Sequence, residues 1–149
     1  MQLGGIIKNI LAIASGIIES QKLGFNAKAA LMTRGLAEMK RIGVSYGAKE
    51  STFYGLSGLG DLILTCNSKL SRNFVTGLLI GKGKKIRNIT RSKKTISEGV
   101  INSKTIFKLS KKRGIDMPVC NSVYKILYEN KKIRETIEKI LSRNIKKEN

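Results

Sequence analysis

The residues of this chain best suited to chemistry lie between Gly55 and Asn73, in the run G-L-S-G-L-G-D-L-I-L-T-C-N-S-K-L-S-R-N. Gly55, Gly58 and Gly60, with Gly77 just beyond, allow backbone to approach something where a Cβ would obstruct it. Asp61 follows the last of the turn glycines, and Ser71, Arg72 and Asn73 open the next helical pattern, which runs on to Gly81. A helix start offers unpaired N–H groups and the positive end of the helix dipole, and Arg72 adds a guanidinium fork. Together these groups suit a small phosphorylated, hydroxylated ligand. Each also has a plain structural reading, with Asp61 and Ser71 as helix caps and Arg72 as a surface arginine.

Two further polar residues stand out against apolar surroundings. Lys8 and Asn9 interrupt a helical pattern in which Ile6, Ile10, Ile13 and Ile17 share one face and Ile7, Leu11, Ala14 and Ile18 the next, so this helix should be buried nearly all round. An ammonium there must be paired, neutral or led out to water. Glu98 falls in the first turn of a helix expected from about Glu98 to Lys112, where the dipole favours an acid whether or not a ligand is near.

The remaining elements must position these groups. Asn26 is expected to cap a helix over 27–42 that Gly43 ends in a left-handed turn, and Arg34 and Glu38 are expected to form a pair on its exposed face. Lys49–Tyr54 reads as a short helix, and Leu62–Leu64 as a buried helix or turn. Val100, Ile101, Ile106 and Leu109 should face inward from the helix that Gly114 stops. Pro118 starts another helix through Leu127, and Ile133, Ile137, Ile140 and Leu141 face inward from the last, before a polar tail. No segment alternates over strand length. The expected fold class is all-α, a single domain of about seven helices.

The 149 residues allow one domain with a real core. The net charge of +19 raises the question of nucleic acid, since clustered cations release counterions from a phosphate backbone. Against it, the lysines are spread over every element and few aromatics are interleaved to stack on bases. The most basic run, Lys82 to Lys94, reads as a solvated loop or short helix, and Gly77 and Gly81-Lys82 lack the spacing of a phosphate-binding P-loop. Cys66 and Cys120 are too far apart for a metal knuckle and histidine is absent, so no metal is expected; the cysteines read as reduced core thiols, which fits the cytoplasm. No apolar run reaches the length of a membrane span, and no signal peptide is visible.

The motifs Gly4-Gly5-Ile6-Ile7-Lys8-Asn9, Asn26 to Met39, Gly55 to Leu62, Thr65-Cys66, Ser71-Arg72-Asn73 and Ser97-Glu98-Gly99-Val100 match, in order and spacing, a known pattern. The chain resembles, over nearly its whole length, the C-terminal domain of bacterial NAD(P)-dependent glycerol-3-phosphate dehydrogenase, a helical domain of the 6-phosphogluconate dehydrogenase-like kind. The resemblance implies a substrate-binding domain over 1–149 that acts on glycerol 3-phosphate and dihydroxyacetone phosphate for glycerophospholipid synthesis. It implies Lys8 as the catalytic proton acceptor, and Lys8, Asp61, Ser71, Arg72 and Asn73 as substrate contacts. Arg72, Ile96 and Glu98 would touch the cofactor, NAD or NADP.

A free lysine near pKa 10.4 is a poor base at neutral pH, so this reading expects Lys8 to be desolvated among Ile6, Ile7 and Ile10 with Arg72 nearby. No Gly-rich dinucleotide fingerprint is present, so the dinucleotide-binding domain is expected to be encoded separately or lost, and the chain to be inactive by itself. The face of the first helix that such a domain would cover is expected to be exposed, favouring self-association, and a homodimer is one expected arrangement. The competing readings are a basic helical nucleic-acid-binding module, for which no specific nucleic acid is expected, and an inactive remnant that serves only in oligomerisation.

Overall fold

The computed structural model describes residues 3–92 and 97–142. Among them the chain is all-α: α1 (Leu3–Ser20), α2 (Gly24–Ser45), a 3-10 turn (Glu50–Tyr54), a π turn (Leu56–Gly60), α3 (Asp61–Asn67), α4 (Arg72–Gly81), α5 (Ile86–Ser92), α6 (Glu98–Arg113), α7 (Pro118–Tyr128) and α8 (Ile133–Leu141). The eight α-helices compare with about seven helices expected: the basic run contains α5 and the segment after Asp61 is a helix in its own right, while the short helix expected over Lys49–Tyr54 is a 3-10 turn.

α1 is the axis. From Ile10 to Ile18 every residue is buried, and α2, α3, α4, α6 and α7 all pack on it. By length and apolar composition alone α1 could cross a membrane, contrary to the expectation that no run is long enough, yet most of it lies inside this fold. The expected exposed apolar face is likewise absent: Ile7, Ile10, Leu11 and Ile13 are sealed by the chain's own helices.

α1 and α4 cross with their backbones in contact. A Cβ on Gly77 would lie 2.1 Å from the Ile13 carbonyl oxygen, and one on Gly16 would lie 2.2 Å from that of Phe74. What the backbone at Gly77 approaches is another helix. This contact carries the first turn of α4 to the Lys8–Asn9 end of α1.

α2 is longer than its sequence signals suggested. Asn26 lies inside it, because the helix begins at Gly24 (φ +89°) with Leu23 as a cap that makes no side-chain bond. Gly43 also lies inside, where its missing Cβ makes room for the Phe53 ring; the left-handed turn falls at Gly47 (φ +92°). Arg34 and Glu38, expected on an exposed face, are buried, and each reaches another helix. An Arg34 Nη2–H donates to the Leu141 carbonyl at the end of α8 (3.2 Å). The Glu38 carboxylate accepts from the Val119 and Cys120 amides (2.6 and 3.1 Å), the first N–H groups of α7, since Pro118 at its start has none. Burial pushes the Glu38 carboxyl up to about 7, outweighing the lowering by those two amides.

Other sequence signals meet their elements directly. Gly114 (φ +66°) closes α6 in the left-handed conformation. Ile101, expected inward, is exposed on α6, as are Ile63 and Leu64 on α3, where Leu62 and Cys66 turn into the core. Cys66 and Cys120 are buried free thiols; burial raises the Cys66 thiol to about 12 and holds that of Cys120 well above its ordinary value. The polar tail lies outside the described residues.

Candidate functional site

α1 delivers Lys8 and Asn9 to one end of the fold, where α3, α4 and α6 all begin. Asp61 is the first residue of α3, where the helix dipole favours a carboxylate, and its Oδ2 is ion-paired and hydrogen-bonded with Lys8 Nζ. The pair is open to solvent: a quarter of the Lys8 side chain and 44% of that of Asp61 are exposed. Lys8 is thus part-buried and paired with a carboxylate, rather than desolvated among the isoleucines as expected. Ile7 and Ile10 point into the core, while Lys8 turns outward to a carboxylate.

The pair opens on a cleft of about 410 Å³. Gly4, Gly5, Met39, Thr52, Phe53 and Gly58 contribute to its lining, so α1, α2 and the turns before α3 all shape it. Its mixed walls, one charged pair among apolar and small residues, are those of a small-molecule site. The Gly-rich stretch serves it indirectly. A Cβ on Gly58 would strike the Phe53 backbone at 2.5 Å, so this glycine folds the turn on itself and sets Asp61 at its end.

The other predicted groups adjoin on the α4 and α6 side. Ser71 is the N-cap of α4, its Oγ accepting from the Phe74 amide (3.3 Å), which leaves its hydroxyl hydrogen to donate elsewhere. Arg72 is exposed and has no hydrogen-bond or ion-pair partner among the described residues. Asn73 is buried; its Oδ1 accepts from the Gly99 amide (2.8 Å) and so caps α6 from α4. Gly99 in turn lies against the Asn9 carbonyl, which a Cβ would approach to 2.7 Å.

Glu98 is exposed at the start of α6 and accepts from Asn9 Nδ2 at 3.3 Å, and the same Nδ2 donates to Asn102 Oδ1 at 3.2 Å. Asn9 thus joins α1 to α6 beside Lys8. It was absent from the predicted site residues, although its place as the second polar interruption of an apolar helix was a visible signal. Ile96 lies outside the described residues. The structure therefore couples Lys8 with Asp61 and Asn73 with the start of α6, and leaves Arg72 without a partner among the described residues.

Such a constellation, a lysine–carboxylate pair on an open cleft beside two helix starts and an unpaired arginine, defines a helical domain suited to a small anionic, hydroxylated ligand. Residues 1–138 match the model of the family described as NAD-dependent glycerol-3-phosphate dehydrogenase C-terminus, and the chain belongs to that family. Among curated relatives, the glycerol-3-phosphate dehydrogenase [NAD(P)+] of Lactobacillus helveticus is 48% identical, and that of Citrifermentans bemidjiense 47%, each over 99% of this chain and 44% of its own length. The crystal structure of the Coxiella burnetii glycerol-3-phosphate dehydrogenase superposes with a TM-score of 0.90 at 42% identity, over 95% of this chain and 43% of that one. The solved structure of the Saccharomyces cerevisiae glycerol-3-phosphate dehydrogenase gives 0.83 at 28% identity, over 94% of this chain and 41% of that one. The chain thus spans under half the length of the relatives it matches.

Proposed function

We propose that this domain is the substrate-binding and proton-moving half of an NAD(P)-dependent sn-glycerol-3-phosphate dehydrogenase, interconverting glycerol 3-phosphate and dihydroxyacetone phosphate for glycerophospholipid synthesis. The observation that carries the proposal is the Lys8–Asp61 pair on the cleft, with Arg72 unpaired at the adjoining helix start. Lys8 Nζ takes the proton of the secondary hydroxyl as the carbinol becomes a ketone, and returns it in the reverse direction. Asp61 holds the amine in place through its hydrogen bond and accepts from a substrate hydroxyl when the pair opens. Arg72 grips the phosphate with charge-assisted bonds, while the Ser71 hydroxyl and the Asn73 Nδ2 group supply neutral donors beside it.

The chemistry supplied by bound NAD or NADP is acceptance of hydride from the carbinol carbon. The described residues fit one edge of that cofactor: Arg72 and Glu98 stand exposed at neighbouring helix starts, and Ile96 belongs to the same proposed contact. They contain no strand, and hence no strand–glycine-turn–helix seat for a pyrophosphate. We therefore assign that seat to a separate α/β dinucleotide-binding domain as partner. A homodimer is the second arrangement, favoured by Phe25, Leu64 and Leu70, which stand exposed at 92%, 71% and 95%. Two buried free thiols fit a reducing compartment, and we assign the domain to the cytoplasm.

The test is to assay the purified chain with glycerol 3-phosphate and either dinucleotide, alone and mixed with a separately produced dinucleotide-binding domain. Turnover only in the mixture is expected. Turnover by the chain alone contradicts the division of labour, and a stable mixed complex without turnover contradicts the assignment of the cleft.

A further inference from the structure

A second cleft, of about 210 Å³, lies where the α4–α5 and α7–α8 connections face each other. Its floor is aliphatic, formed by Ile80, Ile126 and Leu127, all buried, with Ile86 and Ile133 at the sides. Its rim is cationic. Lys84 and Lys85 stand on one connection and Lys131 and Lys132 on the other, all four exposed and without ion-pair partners among the described residues. No carboxylate lines it. Left-handed residues fix both connections, Gly83 (φ +96°) before the first lysine pair and Asn130 (φ +53°) before the second. None of these residues belongs to the Lys8–Asp61 cleft.

We propose that this cleft docks an acidic protein segment, one or two of whose aliphatic side chains enter the floor while flanking Asp or Glu carboxylates meet the four lysines. The volume is below the roughly 300–1,000 Å³ of sites that enclose a whole small molecule, but it suits one or two side chains. A nucleic acid fits less well: no aromatic lines the cleft to stack a base, and no arginine fork reaches into it. A bilayer fits less well because the apolar residues are recessed below the lysines and cannot insert. In this cleft a second copy of the chain fits less well than an acidic partner, since it brings only 10 Asp and Glu against 29 Lys and Arg to face the four lysines.

The experiment is fluorescence anisotropy with the whole chain in about 0.15 M salt, a screening condition that suppresses loose ion pairing. The probe is a labelled peptide of about a dozen residues, glutamates and aspartates around a central Leu-Leu. Saturable binding is expected, weakened roughly tenfold or more when both leucines become serine, since their burial is lost. Lys84→Glu with Lys131→Glu should weaken binding by about tenfold, as two attractions become repulsions. Lys108→Glu with Lys112→Glu, the same charge change on the exposed side of α6, should leave it within about twofold. Absence of binding, equal binding of the serine peptide, or equal losses from the two double reversals would overturn the proposal. So would tighter binding of single-stranded DNA or of anionic phospholipid vesicles than of the leucine peptide.

Discussion

Replacing Glu38 should change both the stability of the domain and its dependence on pH. The carboxylate is fully buried and is the acceptor for the Val119 and Cys120 amides, with Pro118 ahead of them lacking an N–H. Glu38→Ala leaves both amides buried without a partner, at about 1–3 kcal/mol each, and opens a cavity besides. A loss of roughly 3–5 kcal/mol is expected, a large part of a small domain's stability. Glu38→Gln keeps one acceptor oxygen and should lose about 1–3 kcal/mol.

The pH effect follows from the folded value of about 7 against 4.5 for the free group. Between these values the folded state holds a proton that the unfolded state has released, so stability is greatest below about 4.5 and falls as pH rises through 7. From about pH 5.5 to about pH 8 the wild type should lose roughly 2 kcal/mol through this group. Urea denaturation of wild type and Glu38→Gln at the two pH values measures it, with the variant's smaller change subtracted. An identical pH dependence in the two proteins would refute the reasoning, as would a wild type that gains stability relative to the variant on raising the pH.

Gly77→Ala should destabilise by about 1–3 kcal/mol or more in thermal melts, since its Cβ would meet the Ile13 carbonyl at 2.1 Å and only movement of α4 relieves it. Asn73→Ala removes the side-chain cap on the Gly99 amide and should cost about 1–2 kcal/mol in urea, with α6 amide exchange faster near its start. In the complemented enzyme, Arg72→Ala should weaken glycerol 3-phosphate by about 2–4 kcal/mol and leave glycerol nearly unaffected; equal losses would make the residue structural. Both cysteines should resist thiol reagents in the native state and react on unfolding, because burial holds Cys66 at about 12 and Cys120 well above its ordinary value.

What could be read from sequence was whatever local physics decides. The apolar periodicity of α1, the Gly114 stop and the Pro118 start all concern neighbours along the chain, and the structure has them in place. Arg34 and Glu38 have the spacing of a surface pair, and nothing nearby reveals that α8 and the start of α7 will arrive to claim them. Gly77 and Gly43 carry the same lesson: a missing Cβ announces a close approach but does not say whether a ligand, a helix or the Phe53 ring approaches. Within the site, Lys8 stood out as a cation in an apolar helix, but its pairing with Asp61 crosses from α1 to α3 and no local pattern encodes it. Asn9 lay in view beside it, and its role depends on the start of α6.

The central claim is that Lys8 moves the substrate proton while Asp61 holds it in place. Its most direct test is steady-state kinetics of Lys8→Met in the chain complemented with a dinucleotide-binding domain. Methionine preserves the bulk of the side chain and removes the amine. The account predicts a fall in kcat of roughly a hundredfold or more, with the dissociation constant for glycerol 3-phosphate within a few-fold of wild type and the helical circular-dichroism signal unchanged. A variant that folds, binds and turns over at the wild-type rate would contradict it.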